Sequence, residues 1–234
     1  MKLFKTLIIE IFLIGFSIIG FYIYQGYEMY KYAINETSIE KRVQEIKSDK
    51  NYTNIEQLPD MYKNSVIAVE DHRFYEHGAI DIISIGRAIY TNIKEFDLVE
   101  GGSTITQQVA KNVYFTQDKK LVRKIAEVYM AFELEKELTK EEIFELYVNT
   151  SYFGDGYYNV KEASNGYFDK EPIDMNDYEA TLLAGIPNAP SVYAPTKNPD
   201  LARQRQEQVI CKLVKYKYIT QQYADEILEE EYEF

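Results

Sequence analysis

The sequence predicts a mainly α protein preceded by one N-terminal transmembrane helix. Three observations lead there. Apolar residues recur at helical spacing in segment after segment, no stretch alternates polar and apolar as a half-buried strand does, and one long apolar run lies near the N-terminus. The chain has 234 residues, 46% apolar and 27% charged, a composition that can fill a core and that excludes intrinsic disorder. That length allows one domain of ordinary size plus an appendage.

The apolar run, Leu7 to Tyr24, holds 14 apolar residues in 18 and a single charge, Glu10. About 20 apolar residues cross a bilayer as a helix, whereas a secretory h-region is shorter and is followed by a small-residue cleavage site. No such site follows here, and Phe21, Tyr22 and Tyr24 form an aromatic belt at the far end. The reading is an uncleaved signal anchor over residues 1–24. Lys2 and Lys5 ahead of it place the N-terminus in the cytoplasm and the rest outside by the positive-inside rule.

Residues 25–54 are polar and charged, with Ile39, Val43 and Ile46 at helical spacing, and read as a helical stalk or linker. Residues 55–218 form the main domain. Its first apolar run, Ser65–Val69, ends at Glu70-Asp71, and Ile80–Phe96 carries Ile82, Ile83, Ile85, Ile89 and Ile93. Leu121–Leu138 is amphipathic, and Thr139 with Glu142 makes a capping box opening a helix through Val148. Asp177–Ala184 and Leu201–Tyr216 are further helices, separated by Gly/Pro punctuation. Residues 219–234 supply a last helix, Thr220–Glu230, and an acidic tail that reads as a solvated face.

Charge and rare residues narrow the function. There are 26 Lys and Arg against 38 Asp and Glu, a net charge of −12, which argues against general nucleic-acid binding. One cysteine, Cys211, excludes an internal disulfide and a cysteine-built zinc site. The 22 tyrosines, with no tryptophan, suit wet apolar surfaces such as membrane interfaces and carbohydrate clefts, although AT-rich coding gives the same excess.

Three constellations carry chemistry. The first is Glu70-Asp71-His72-Arg73-Phe74-Tyr75-Glu76-His77-Gly78. A carboxylate at the edge of an apolar wall suits general acid/base work on a sugar hydroxyl, and a helix end with surface ion pairs is the other reading. The second is Gly101-Gly102-Ser103-Thr104-Ile105-Thr106-Gln107-Gln108, followed by Lys111. It reads as a glycine loop running into a helix N-terminus that can hold phosphate oxygens, or as an ordinary capped helix; P-loop spacing is absent. The third is Lys119-Lys120-Leu121-Val122-Arg123-Lys124-Ile125-Ala126-Glu127. From Ser103 to Lys124 five basic residues face one acid, Asp118, a local reversal of sign that fits an anionic ligand. Glu127 lies one turn beyond Arg123 and Lys124, which also fits a plain ion pair on a solvated face.

In this order the three motifs resemble those of glycosyltransferase family 51, the peptidoglycan glycosyltransferases, in particular the monofunctional biosynthetic form. The resemblance continues through Lys140–Asn149, Tyr152–Gly156 and Leu182–Pro190, and covers roughly Ile55 to Tyr218. Asn159 and Asp169 stand where the family pattern has glycine, and Arg205-Gln206 stands where it has Arg-Arg.

The resemblance implies a lysozyme-like bilobed fold with a small membrane-associated jaw, for which the apolar excess in Ile80–Val99 is suited. It implies polymerisation of lipid II onto a growing glycan strand. The acceptor 4-hydroxyl would attack the donor anomeric carbon, invert it to a β-1,4 link and release polyprenyl diphosphate. Glu70 would be the general base. Lys111, Arg123 and Lys124 would stabilise the leaving diphosphate, and Glu127 would hold those cations or a divalent metal, Mg²⁺ or Mn²⁺. Ser103, Gln107 and Gln108 would bind sugar and phosphate, and Asp71, Phe74, His77, Thr104 and Lys119 complete the implied substrate-binding set. The implied location is the bacterial cell membrane, single-pass, with transpeptidases and other cell-wall synthesis proteins as compatible partners.

Two other classes remain at this level: a lysozyme-like glycan hydrolase, which also uses carboxylates, and a non-catalytic scaffold for lipid-linked glycan. Ser38-x-x-Lys41 reads as a chance match to a transpeptidase motif, since no Ser-x-Asn or Lys-Thr-Gly follows. His72 and His77 read as structural hydrogen-bonders, and Cys211 as a helix core residue.

Overall fold

The computed structural model describes residues 2–95, 101–115 and 121–230. Every regular element among them is helical. Helix α1 (Lys2–Glu36) is one continuous rod, and its apolar stretch, of mean hydropathy 2.2, is entirely unburied. It is long and apolar enough to cross a bilayer.

The end of α1 does not lead off as an isolated stalk. It lies against α6 (Leu121–Glu137), where Gly26 is the point of closest approach. A Cβ on Gly26 would stand 2.5 Å from Ile125 Cγ2 and 3.1 Å from the Val122 carbonyl oxygen, so glycine is required there by the neighbouring helix. One turn on, the Tyr30 ring stacks on Tyr129 at 5.8 Å, and Tyr27 meets the same ring edge-on at 5.4 Å. Helix α2 (Ile39–Lys47) follows, its N-terminus capped by Ser38, which accepts the Lys41 N–H at 3.3 Å. The formal Ser-x-x-Lys pair is therefore a helix cap. Ile39 is buried against the main lobe.

The main lobe is built from α3 (Asp60–Glu70), α5 (Ile105–Tyr114), α6, α7 (Lys140–Thr150), α8 (Val160–Phe168), α9 (Asp177–Gly185), α10 (Pro190–Tyr193), α11 (Pro199–Lys215) and α12 (Gln221–Glu229). Its core joins Tyr62 and Val66 of α3, Ile105 and Val109 of α5, Phe144 and Tyr147 of α7, Leu183 of α9 and Val209 of α11. Local chemistry sets the helix starts. Thr104, Thr139 and Asn176 each cap a helix with the side chain and donate the reciprocal backbone N–H bond to the side chains of Gln107, Glu142 and Glu179 respectively.

The two departures from the family's glycine pattern resolve differently. Asn159 is extended at φ −152° and caps α8 through the Glu162 N–H. Asp169 ends the same helix in the left-handed region at φ 54°, a conformation natural to glycine and tolerated by Asp.

Helix α4 (Ile82–Glu95) stands apart. It buries only Ser84 and Ala88 and leaves Ile82, Ile83, Ile89, Tyr90 and Ile93 exposed. The end of the expected Ile80–Val99 jaw lies outside the described residues.

Candidate active site

A cleft of about 870 Å³ opens between the C-terminal end of α3, the start of α5, the first turns of α6 and the polar side of α11. Its walls include Glu70, Ser103, Gln107, Gln108, Lys111, Lys124 and Glu127, with Arg205, Gln208 and Cys211 opposite.

Glu70 is the last residue of α3. One carboxylate oxygen, Oε2, accepts the Gln108 side-chain amide at 2.7 Å. The other, Oε1, is buried, has no hydrogen bond among the described residues, and lies 3.8 Å from the Arg205 guanidinium.

The next residue, Asp71, turns inward. Its Oδ1 lies 2.7 Å from His77 Nε2, and its Oδ2 accepts the Ile105 N–H at 3.1 Å. Ile105 is the first residue of α5, so this carboxylate satisfies a free helix N-terminal donor. Burial opposes protonation of His77, but the hydrogen bond and charge of Asp71 win and raise its pKa above the ordinary value. Thr104 donates to the Ala79 carbonyl at 2.9 Å while capping α5. Phe74 is completely buried, with the Lys140 ammonium 4.4 Å from its ring centroid. Asp71, Phe74, His77 and Thr104 thus form a packed hinge behind the cleft rather than its lining. Gln107 does reach the cleft, although its carbonyl is also engaged by the Thr104 N–H.

The third constellation folds as a charge cluster on α6. Glu127 is 2% exposed; Arg123 holds its Oε1 and the Lys124 ammonium lies 3.1 Å from its Oε2. Lys124 also donates to Ser103 Oγ at 2.7 Å, which fixes the glycine-rich loop against the helix. Lys111 has no hydrogen bond or ion pair from its ammonium among the described residues. Burial lowers its pKa, Glu127 and Glu70 oppose that shift, and Arg123 and Lys124 add to it. Two cations therefore share one buried carboxylate while Lys111 stands near them without an ion pair, an arrangement suited to an anion carrying more than one charge. Lys119 lies outside the described residues.

The donor set does not fit a resident metal. Both oxygens of Glu127 are taken by cations. Asp71, His77 and Asp81 approach within 4.8 Å of one another, but Asp81 is occupied by Arg73 and by the Ser84 N–H and hydroxyl, and Asp71 by His77 and Ile105. Those three residues are a folding cluster.

Two residues on α11 depart from the sequence reading. Cys211 is exposed and lines the cleft, not the core. Gln206, Val209, Ile210 and Leu213 occupy the buried face of the helix, and that phase turns residue 211 outward. Arg205 had only the standing of a surviving half-motif, yet it reaches Glu70, bonds the Gly185 carbonyl and Gln208, and lies 5.9 Å from the Tyr193 ring centroid. His72 also reaches the cleft, stacked on Tyr216 at 4.1 Å. Burial together with Arg87 and Arg73 lowers its pKa below the ordinary histidine value.

The family described as transglycosylase matches residues 36–214. Penicillin-binding protein 1F of Bacillus subtilis is 45% identical over 166 residues, covering 71% of this chain and 23% of that protein. Penicillin-binding protein 1A of Neisseria lactamica is 41% identical over 182 residues, covering 78% of this chain and 23% of that protein. The chain thus spans less than a quarter of the length of these curated relatives. Among solved structures, penicillin-binding protein 1A of Haemophilus influenzae aligns with a TM-score of 0.48 at 19% identity, covering 78% of this chain and 18% of that one.

Proposed function

The chain belongs to the transglycosylase family, glycosyltransferase family 51, and from that premise we propose that it polymerises lipid II into β-1,4-linked glycan with inversion at the donor carbon. The observation that carries the proposal is the unequal company of two carboxylates in one cleft. Glu70 is left with one amide donor and a long contact to Arg205, so it can still accept a proton. Glu127 is closed off by two cations.

In this reading the acceptor 4-hydroxyl approaches Glu70. Its oxygen attacks the anomeric carbon from the face opposite the diphosphate while its proton passes to Glu70. The bond from the anomeric carbon to the diphosphate oxygen breaks, and the electron pair leaves on that oxygen. Lys111, Arg123 and Lys124 meet the charge that develops there, a stabilisation typically worth about 10²–10³ in rate per contact. Glu127 keeps Arg123 and Lys124 aimed, Gln108 orients Glu70, and Ser103 and Gln107 contribute polar contacts to sugar or phosphate. Asp71, Phe74, His77 and Thr104 act by holding the end of α3 and the start of α5 in register.

The apolar α1 and the exposed isoleucines of α4 support membrane anchoring on the side where a polyprenyl-linked substrate enters. The N-terminus is proposed to be cytoplasmic and the cleft extracytoplasmic.

The test is incubation of the full chain with lipid II in detergent or bilayers. Glycan polymer is the expected product. Cleaved glycan would identify a hydrolase, and unchanged substrate a scaffold. Glu70→Gln should abolish polymerisation while sparing donor binding, because the amide keeps the shape but cannot take the proton. Glu127→Gln should be less absolute and should mainly weaken the diphosphate side. An active Glu70→Gln enzyme would remove the base from this mechanism.

A further inference from the structure

Glu70 is held between two helices. Its Oε2 accepts the Gln108 amide of α5 at 2.7 Å. Its Oε1 is buried, accepts no hydrogen bond among the described residues, and lies 3.8 Å from Nη2 of Arg205 on α11. That guanidinium is itself fixed. Its Nε donates to the Gly185 carbonyl at 3.3 Å and its Nη1 to Gln208 Oε1 at 2.9 Å. The Arg205 side chain is 12% exposed. Two of its three nitrogens therefore hold the group in place, and the third is the one that faces Glu70.

The chain makes room for this arrangement at Gly185. Gly185 ends α9 at φ −79° and ψ −26°, a helical conformation that any residue adopts. Glycine weakens a helix relative to alanine, so the local backbone gives no reason for it. Arg205 does. A Cβ on Gly185 would stand 2.9 Å from Arg205 Cγ, closer than two carbon atoms pack. Alanine at 185 would push the Arg205 stem off α9 and shift the guanidinium, with every charged group of the cleft still present.

We propose that Arg205 is a positioning residue for Glu70: held by Gly185 and Gln208, it fixes the inner carboxylate oxygen, so that the oxygen shared with Gln108 stays turned toward the acceptor hydroxyl. This rests on the reading of Glu70 as general base. The separation suits the role. A charge-assisted hydrogen bond at about 2.8 Å would commit the carboxylate to the guanidinium and compete with the proton it has to accept. At 3.8 Å the attraction still orients the carboxylate, and its lone pairs stay available. Lysine is a poor substitute, because an ammonium on a flexible stem lacks the rigid planar fork that bonds a carbonyl and an amide while facing a carboxylate.

The experiment is lipid II polymerisation by the full chain and its Arg205→Ala, Arg205→Lys, Gly185→Ala and Glu70→Gln variants, with lipid II binding and melting temperature measured beside it. Arg205→Ala should lose about 10²-fold in kcat, the cost of a misaligned catalytic group, with KM and lipid II binding unchanged. Added guanidinium ion should restore part of that loss, and Arg205→Lys should fall between the alanine variant and the parent. Gly185→Ala should lower kcat in the same sense, and it decides if Arg205→Ala fails to fold. A raised KM at unchanged kcat would make Arg205 a substrate contact, and a lowered melting temperature at the parent kcat would make it structural. Either result, with Glu70→Gln inactive, would overturn this proposal and leave the base assignment standing. An active Glu70→Gln would overturn the base assignment itself, and this proposal with it.

Discussion

Asp71 Oδ2 accepts the backbone N–H of Ile105 at 3.1 Å, and that single bond ties the end of α3 to the first turn of α5. Glu70 precedes Asp71, and Gln108 lies one turn beyond Ile105. The bond therefore sets the distance between the proposed base and the amide that orients it.

Asp71→Ala should destabilise the protein by about 3 kcal/mol, because it strands a half-buried histidine and a helix N-terminal donor together. Activity should fall in parallel, and denaturant titration beside a polymerisation assay measures both. Loss of activity at unchanged stability would instead make Asp71 a substrate contact.

The His77–Asp71 pair should also make stability depend on pH. The pKa of His77 is raised on folding, so protonated His77 is favoured in the folded chain. Its stabilisation is fully present below the unfolded value of about 6.5 and is lost as pH rises through the folded pKa. The denaturation midpoint should fall on going from mildly acid to mildly alkaline pH, and His77→Gln should flatten that slope.

The three cleft cations should separate by mutation. Lys111→Ala removes a charge with no ion-pair partner among the described residues, so it should cost about 10²–10³ in turnover with little change in melting temperature. Arg123→Ala should lose comparable turnover and also stability, because Glu127 is 2% exposed and would keep only Lys124. Equal melting temperatures for the two variants would contradict the shared-carboxylate arrangement.

Removing residues 1–24 should leave a folded lobe with weakened membrane association, since packing of α1 on α6 begins near Gly26. Gly26→Val should cost about 1–3 kcal/mol in stability, because the added side chain meets Ile125 and the α6 backbone. Circular dichroism and membrane flotation check the truncation, and thermal melting checks the substitution.

The two glycine departures should respond with opposite signs. Asp169→Gly relieves a left-handed residue and should stabilise by about 0.5 kcal/mol. Asn159→Gly surrenders a helix cap at an extended position and should destabilise by a few tenths of a kcal/mol. Paired melting curves against the parent chain measure both changes.

What the sequence determined by itself is local. Thr139 and Glu142 lie within one turn, so their capping box, and with it the start of α7, is written in consecutive residues. The apolar run of α1 is a property of composition along one segment, and the Glu70, Ser103–Lys111 and Arg123–Glu127 motifs are each short enough to read in place. Tertiary structure decided which of these side chains meet. Asp71 reads beside Glu70 as a second cleft carboxylate, and only the meeting of the end of α3 with the first turn of α5 turns it toward Ile105. Cys211 reads as core until the packed face of α11 sets its phase. Arg205 lies 135 positions from Glu70, and no periodicity within α11 announces that contact. Helix formation depends on neighbours about four residues apart, whereas the cleft depends on the angles at which separate helices cross, and those angles are set by the packing of Tyr62, Tyr147, Leu183 and Val209 in the shared core.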